Sequence, residues 1–301
     1  MRIAVILSTY NAPDRLAPTL TGYAAQRGAE FEVIVADDGS TDATRKVIEE
    51  AAHAYGIIVR RVWQPDAGFR KCRILNQAAL ATGADYLIFS DGDCVPRADF
   101  VATHATHARP GRFLSGGYFK LTDATSKKLT PEVIFNGHST NPEWLLANGT
   151  PRSAKLGKLR ARGWHAKLMN AMTPTRPSWN GHNSSCWRTD LLKVNGHDER
   201  MAYWAQDREF GERLTNAGIT GLQIRYSAIC VHINHDRPYK TERSRERNKQ
   251  IRAETKANRA TWTEHGIFNT PQRPSSFVTN LAHDVVVETF GEPHYRRRTA
   301  A

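Results

Sequence analysis

Two aspartates, Asp91 and Asp93, stand one residue apart at the end of an apolar run, "DYLIFSDGD". Carboxylates at that spacing can place hard oxygen ligands on one divalent cation, and such a cation can bridge a diphosphate. A β-turn is the other reading, since Asp-Gly suits one. Downstream, "VHINHDRP" offers His232 and His235 at i and i+3. Two imidazoles on a bend can reach one metal, or can simply be hydrogen-bonded rings. The chain has no HExxH, which argues against a hydrolytic zinc site. In "YWAQDREFGERL", Asp207 can accept a proton from a hydroxyl while Tyr203 and Trp204 offer flat faces to a sugar or base. It can equally be an acidic residue favoured by a helix N-terminus. "GFRKCR" supplies Arg70, Lys71 and Arg73, which can hold phosphate or form a solvated basic face. Neither GxxxxGK[ST] nor GxGxxG occurs, so any nucleotide must be held through a metal and polar strand ends.

The elements that must position these residues alternate. "RIAVILSTY" reads as a strand stopping at a polar Ser-Thr-Tyr-Asn turn, and "LAPTLTGYAAQ" has helical spacing. "FEVIVADDGSTDATRKVIEEAAHAYG" repeats the pattern, its strand ending at Asp37-Asp38-Gly39-Ser40 and its helix starting behind Thr41 or Asp42. "GIIVRRVWQ" is a third strand, "RKCRILNQAALATG" a third helix with a glycine stop, and "DYLIFSDGD" a fourth strand. Nearly all-apolar strands alternating with helices predict an α/β fold with a mostly parallel sheet covered on both faces. Ligands of such sheets gather at the carboxyl ends of the strands, where "STYN", "DDGS" and "DGD" all fall. Farther on, "FLSGGYFKL" and "GLQIRYSAICVHINH" read as one strand each. Residues 122–178 read as a polar, basic insertion with "KLGKLRARGWHAKLMNAM" as an amphipathic helix. From residue 240 a charged helix follows, with eight basic and three acidic residues between Lys240 and Arg259. The stretch with Pro271, Pro274 and the terminal Arg296-Arg297-Arg298 reads as a loosely attached tail.

The chain has 301 residues, 40% of them hydrophobic, enough for one large domain or one domain plus an appendage. Four cysteines without CxxC spacing suggest buried thiols rather than a zinc ribbon or a disulfide framework. The formal charge of +12 favours anionic partners: nucleotides, nucleic acid or acidic lipid surfaces. No apolar run approaches the roughly 20 residues of a membrane span, and no signal peptide is recognised, so a cytoplasmic location is expected.

Taken in order, "STYN", "DDGS", "GFRKCRILNQA" and "DGD" resemble the N-terminal half of the family 2 inverting glycosyltransferases of GT-A fold. "GHNSSCWRTDLLKVNGHDERMAYWAQDREFGERL" resembles the C-terminal segment shared with β-1,4-galactosyltransferases and chondroitin polymerases. The match covers roughly residues 1–120 and 179–238. It implies a GT-A domain over 1–239, with a nucleotide-sugar half at 1–120, the insertion at 122–178 and an acceptor and metal half at 179–239. Residues 240–301 would be a basic helical extension and tail. By position, the resemblance implies Ser8, Thr9, Tyr10, Asp37, Arg70, Asp91 and Gly181 on the donor. It implies Asp93, His232 and His235 on Mn2+ or Mg2+, Asp207 as catalytic base, and Tyr203, Trp204 and Gln206 on the acceptor. Gln206 departs from the family's Glu-Asp: it can hydrogen-bond a hydroxyl but carries no charge.

The implied reaction is a single displacement. Asp207 takes the acceptor's proton, the oxygen attacks the anomeric carbon from the face opposite the leaving nucleoside diphosphate, and the configuration inverts. The expected partners are a nucleotide-sugar, most simply a UDP-sugar, and a glycan or glycolipid of the cell surface, with peripheral membrane association through the basic segments. A sugar nucleotidyltransferase shares such a sheet but carries a glycine-rich basic loop where this chain has "STYNAPDR". A nucleic-acid-binding protein fits the charge, yet no nucleic-acid motif appears.

Overall fold

The computed structural model describes residues 1–236, 241–268 and 280–292. The parallel unit forms where the alternation placed it. Strands β1 (Ile3–Thr9), β2 (Glu32–Asp37), β3 (Val59–Trp63) and β4 (Tyr86–Asp91) are joined by helices α1 (Pro13–Ala24), α2 (Asp42–Tyr55) and α3 (Lys71–Leu80). β1 lies between β2 and β4, parallel to both, and β2 continues to β3. Glycine is not the stop of α3: the helix ends at Leu80 with Ala81 in right-handed backbone, ahead of Gly83.

The remaining elements are β5 (Cys94–Pro96), α4 (Phe100–His107), β6 (Arg112–Ser115), β7 (Gly117–Lys120), α5 (Asp123–Ser126), α6 (Pro131–Phe135), α7 (Pro142–Ala147), α8 (Gly157–Arg160), α9 (Gly163–Met172), β8 (Ser184–Trp187), α10 (Arg188–Lys193), α11 (Gln206–Asn216), β9 (Thr220–Gln223), β10 (Ile229–His232), α12 (Glu242–Ala257) and β11 (Val286–Phe290). Eight strands build the main sheet in the order β11-β3-β2-β1-β4-β8-β6-β9, and β5-β10-β7 form a small second sheet.

Side-chain alternation divides the core. Ala4, Ile6, Ile34, Ala36, Leu87 and Phe89 pack on the face covered by α3, α10 and α11. Val5, Leu7, Val33, Val35 and Ile88 pack on the opposite face, under α1, α2 and α4. A third cluster joins Val95, Phe119 and Val231 of the small sheet to Ile134, Leu145 and Leu159 of the 122–178 segment.

Four expectations are corrected. "FLSGGYFKL" is two strands in two different sheets, and the chain changes sheet at Gly116, where a side chain would land on the buried Asn183 carboxamide. "GLQIRYSAICVHINH" is also two strands, parted by a turn in which Ser227 and Ala228 both donate to the Ile224 carbonyl. "KLGKLRARGWHAKLMNAM" is not one helix: Ala161 and Arg162 are extended (ψ 127° and 158°) between α8 and α9. Residues 280–292 are no loose tail, since β11 pairs antiparallel with β3 from Val286↔Trp63 to Phe290↔Val59. Pro271, Pro274, Arg296, Arg297 and Arg298 lie outside the described residues, as does Lys240.

Candidate active site

A cleft of about 580 Å³ opens over the carboxyl ends of β1, β2 and β4. Ten of the fourteen residues that the resemblance assigns to the site line it: Ser8, Thr9 and Tyr10, Asp91 and Asp93, Tyr203, Gln206 and Asp207, His232 and His235. The loops that carry the first of these are tied together. Asn11 donates its N–H to Ser40 Oγ (2.8 Å), and the Asn11 carboxamide accepts from the Thr41 N–H (2.9 Å).

Asp37, Arg70, Gly181 and Trp204 do not line the cleft. For Asp37 the reason is the period of β2. Ala36 and Asp38 face the cleft, so Asp37 points to the other side of the sheet. There it is fully buried, pairing with Arg61 at 2.8 Å and accepting the Ser40 N–H at 2.9 Å. Asp38 is therefore the cleft carboxylate of "DDGS", fixed by Gln64 (2.6 Å) and the Arg70 N–H (2.8 Å). Burial pushes its pKa up to about 6. The Arg70 guanidinium turns to the Pro65 carbonyl, and the neighbouring cation, Lys71, enters the cleft instead.

Lys71 Nζ lies 2.6 Å from Asp91 Oδ1, which also accepts from Ser8 Oγ at 2.8 Å. Burial opposes both charges, but the attraction wins. Lys71 is held above its ordinary range by Asp91 and Asp207, and Asp91 below its own by Lys71.

Asp93 meets the late histidines because β10 runs antiparallel to β5 with His232 opposite Cys94, and the Ile233 N–H donates to the Asp93 carbonyl. His235 Nε2 lies 2.8 Å from Asp93 Oδ2 and His232 Nε2 3.7 Å from Oδ1. The two rings stack with centroids 5.4 Å apart. One carboxylate and two imidazoles are a donor set that suits Mn2+ or a similar ion. Cys94 Sγ is also near Asp93 and His232, and burial pushes its thiol well up.

Asp207 sits in the first turn of α11, behind two consecutive left-handed residues, Trp204 (φ 87°) and Ala205 (φ 64°). Such backbone costs a non-glycine residue about 1–3 kcal/mol and persists only where neighbours enforce it. Asn248 of α12, fully buried, donates to the carbonyls of Ala202 (2.9 Å) and Trp204 (2.6 Å). Trp204 itself points outward, with the Arg245 guanidinium 5.4 Å from its ring centre. Gly181 acts from behind Asp207: a Cβ there would lie 2.7 Å from Asp207 Oδ1. Burial raises the Asp207 pKa, with Lys71 opposing. Among the described residues, Asp207 Oδ1 and Gln206 Oε1 are buried acceptors with no hydrogen-bond partner, while a backbone hydrogen bond from Gly181 supports the Asp207 carboxylate. Both belong to residues of the cleft wall.

Sequence reasoning missed His182, Tyr118 and Phe69 on the cleft wall. Burial lowers the His182 imidazole to about 4, leaving it neutral against Tyr118 at 4.5 Å. Its place directly after Gly181 was the available signal.

Residues 4–144 match the family described as Glycosyl transferase family 2. The chain is 35% identical over 252 residues to a validoxylamine A glucosyltransferase of Streptomyces hygroscopicus subsp. jinggangensis, covering 79% of this chain and 56% of that one. It is 25% identical over 238 residues to the chondroitin synthase of Escherichia coli, covering 72% and 32%. The chain thus spans about half and one third of these relatives. Among solved structures it is similar to a mannosyltransferase of Pyrobaculum calidifontis in complex with GDP-Man and Mn2+ (TM-score 0.55, 18% identity, covering 85% and 64%). It is also similar to residues 1–349 of Staphylococcus aureus TarS in complex with UDP-GlcNAc (TM-score 0.54, 16% identity, covering 83% and 64%). These likenesses establish the GT-A fold.

Proposed function

Residues 4–144 of this chain are a glycosyl transferase family 2 domain, and from that premise we propose that the protein is an inverting glycosyltransferase moving a sugar from a nucleotide-sugar to a glycan or glycolipid hydroxyl. The observation that carries the reading is the meeting, in one cleft, of a carboxylate with two imidazoles and a carboxylate with an unmatched oxygen. The first set suits the donor's diphosphate, the second the acceptor.

Asp93, His232 and His235 would hold the cation. When bound, a divalent ion supplies positive charge to the departing diphosphate. Ser8, Thr9, Tyr10 and Asp38 lie where the nucleoside would rest, with Asp91 toward its ribose. Lys71 keeps Asp91 ionised and adds a fixed positive charge beside the cation site. The Asp207 carboxylate accepts the proton of the attacking hydroxyl, the Gln206 carboxamide hydrogen-bonds a second hydroxyl of the acceptor, and Tyr203 gives the sugar an aromatic face. One base and no protein nucleophile accord with a single displacement and inversion. Of the structural neighbours, the mannosyltransferase is in complex with GDP-Man and TarS 1–349 with UDP-GlcNAc; a UDP-sugar is our first choice of donor.

A thermal-shift screen of UDP- and GDP-sugars with and without Mn2+ tests the reading, since a ligand that binds only the folded protein raises its Tm. Stabilisation by a nucleotide-sugar only when the metal is present is the expected outcome. Equal response to DNA or RNA and none to any nucleotide-sugar would refute it.

A further inference from the structure

The outer face of α9 is apolar where the molecule's surface should be polar. Trp164, Leu168 and Met172 are 78%, 46% and 69% exposed. At i, i+4 and i+8 they fall within about 80° of the helix circumference. The opposite side docks the helix to the body: Ala166 is buried, and the Asn170 carboxamide donates to Ser227 Oγ (2.8 Å) and accepts the Tyr226 N–H (2.9 Å). The stripe is thus presented outward on a fixed helix.

The stretch of chain that carries it is predominantly basic. Residues 144–189 contain eight Lys or Arg and no Asp or Glu. Arg160 pairs with Glu143, and Arg162 lies 3.9 Å from Asp99. The Lys158 ammonium is held below its ordinary range, first by burial and then by repulsion from Arg225 and Lys155. The local charge is therefore in surplus.

From this geometry we infer that α9 docks the protein on an anionic lipid bilayer, with Trp164, Leu168 and Met172 inserted at the interface and the acid-free segment around them on the headgroups. A bilayer supplies apolar depth and negative charge together, the two things this face lacks. A second copy of the chain supplies only the first, because two such faces meeting about a two-fold axis would bring like charges together. The inference does not depend on the sugar-transfer reading.

The test is co-sedimentation of the full chain with vesicles of phosphatidylcholine alone or mixed equally with phosphatidylglycerol. Wild type pellets with the anionic vesicles and not the neutral ones, and salt weakens the binding. Combining Trp164→Glu, Leu168→Glu and Met172→Glu lowers the partition coefficient at least about ten-fold. The Tm of that variant stays at the wild-type value, because all three side chains are exposed. Vesicles also shift the tryptophan emission of wild type to shorter wavelength, and Trp164→Phe removes the shift. The inference is overturned if wild type binds neither vesicle. It is overturned equally if the triple variant binds as wild type does, or if wild type is a dimer that the triple variant dissociates while vesicles leave both in solution.

Discussion

The two walls of the cleft treat their carboxylates in opposite ways. On the donor side Asp91 is paired with Lys71 and Ser8, and Asp38 with Gln64 and the Arg70 backbone, before any ligand arrives. On the acceptor side Asp207 Oδ1 and Gln206 Oε1 are buried and, among the described residues, unmatched, behind a turn with two left-handed residues. The donor wall's carboxylates are thus fixed in place before a charged donor arrives. An unsatisfied wall stores the cost of desolvating its acceptors until a hydroxyl arrives to relieve it. The comparison teaches that breaking the donor wall's frame should cost stability, and breaking the acceptor wall's geometry should cost rate.

The largest effect should come from Arg61→Met. It leaves the Asp37 carboxylate buried without its cation, at a cost of about 3–5 kcal/mol in chemical unfolding. Gly181→Ala comes next and strikes the other wall. Its new Cβ displaces Asp207, and a misplacement near 1 Å lowers transfer by about 10²-fold. Donor binding, read by calorimetry, should be unchanged. Asn248→Leu is smaller: it strips the carbonyls of Ala202 and Trp204 of their donor at about 1–3 kcal/mol. Loosening the turn before Asp207 should lower kcat about ten-fold, with donor affinity intact. The mildest test is pH. The base must be ionised and burial raises its pKa, so the rate falls as pH drops through that raised value. Lys71→Met removes the charge that opposes the rise, so the acidic limb of the kcat/KM profile should move to higher pH.

Much of the donor wall was legible because one pattern fixes both position and chemistry there. An all-apolar strand that stops at polar residues puts those residues at a carboxyl edge, so Ser8 and Asp91 followed from β1 and β4 themselves. What failed was facing. "DDGS" holds two carboxylates, and only the register of β2 decides that Asp38 meets the cleft while Asp37 is buried against Arg61. At the α3 N-terminus, likewise, neighbouring cations divide the work: Arg70 turns to a loop carbonyl and Lys71 to Asp91.

The second half was harder to read because its contacts are remote in sequence. Nothing local to "FLSGGYFKL" reveals that Asn183 occupies the space beside Gly116, where the chain passes between sheets. β11 similarly takes its place from β3, helped by Glu288 between Arg45 and Arg61. The strain at Trp204 and Ala205 was invisible in residue types, since neither is a glycine. It is held from outside by Asn248, more than forty residues later.

The contrast between the walls rests on Asp207 acting as the base rather than as a helix-end charge. The direct measurement is Asp207→Asn, assayed for donor binding by calorimetry and for transfer by single turnover on the same preparation. The account predicts a donor Kd close to wild type and transfer slowed by about 10²–10⁴-fold, the range that a lost general base removes. Turnover at the wild-type rate would take Asp207 out of the chemistry and contradict the account.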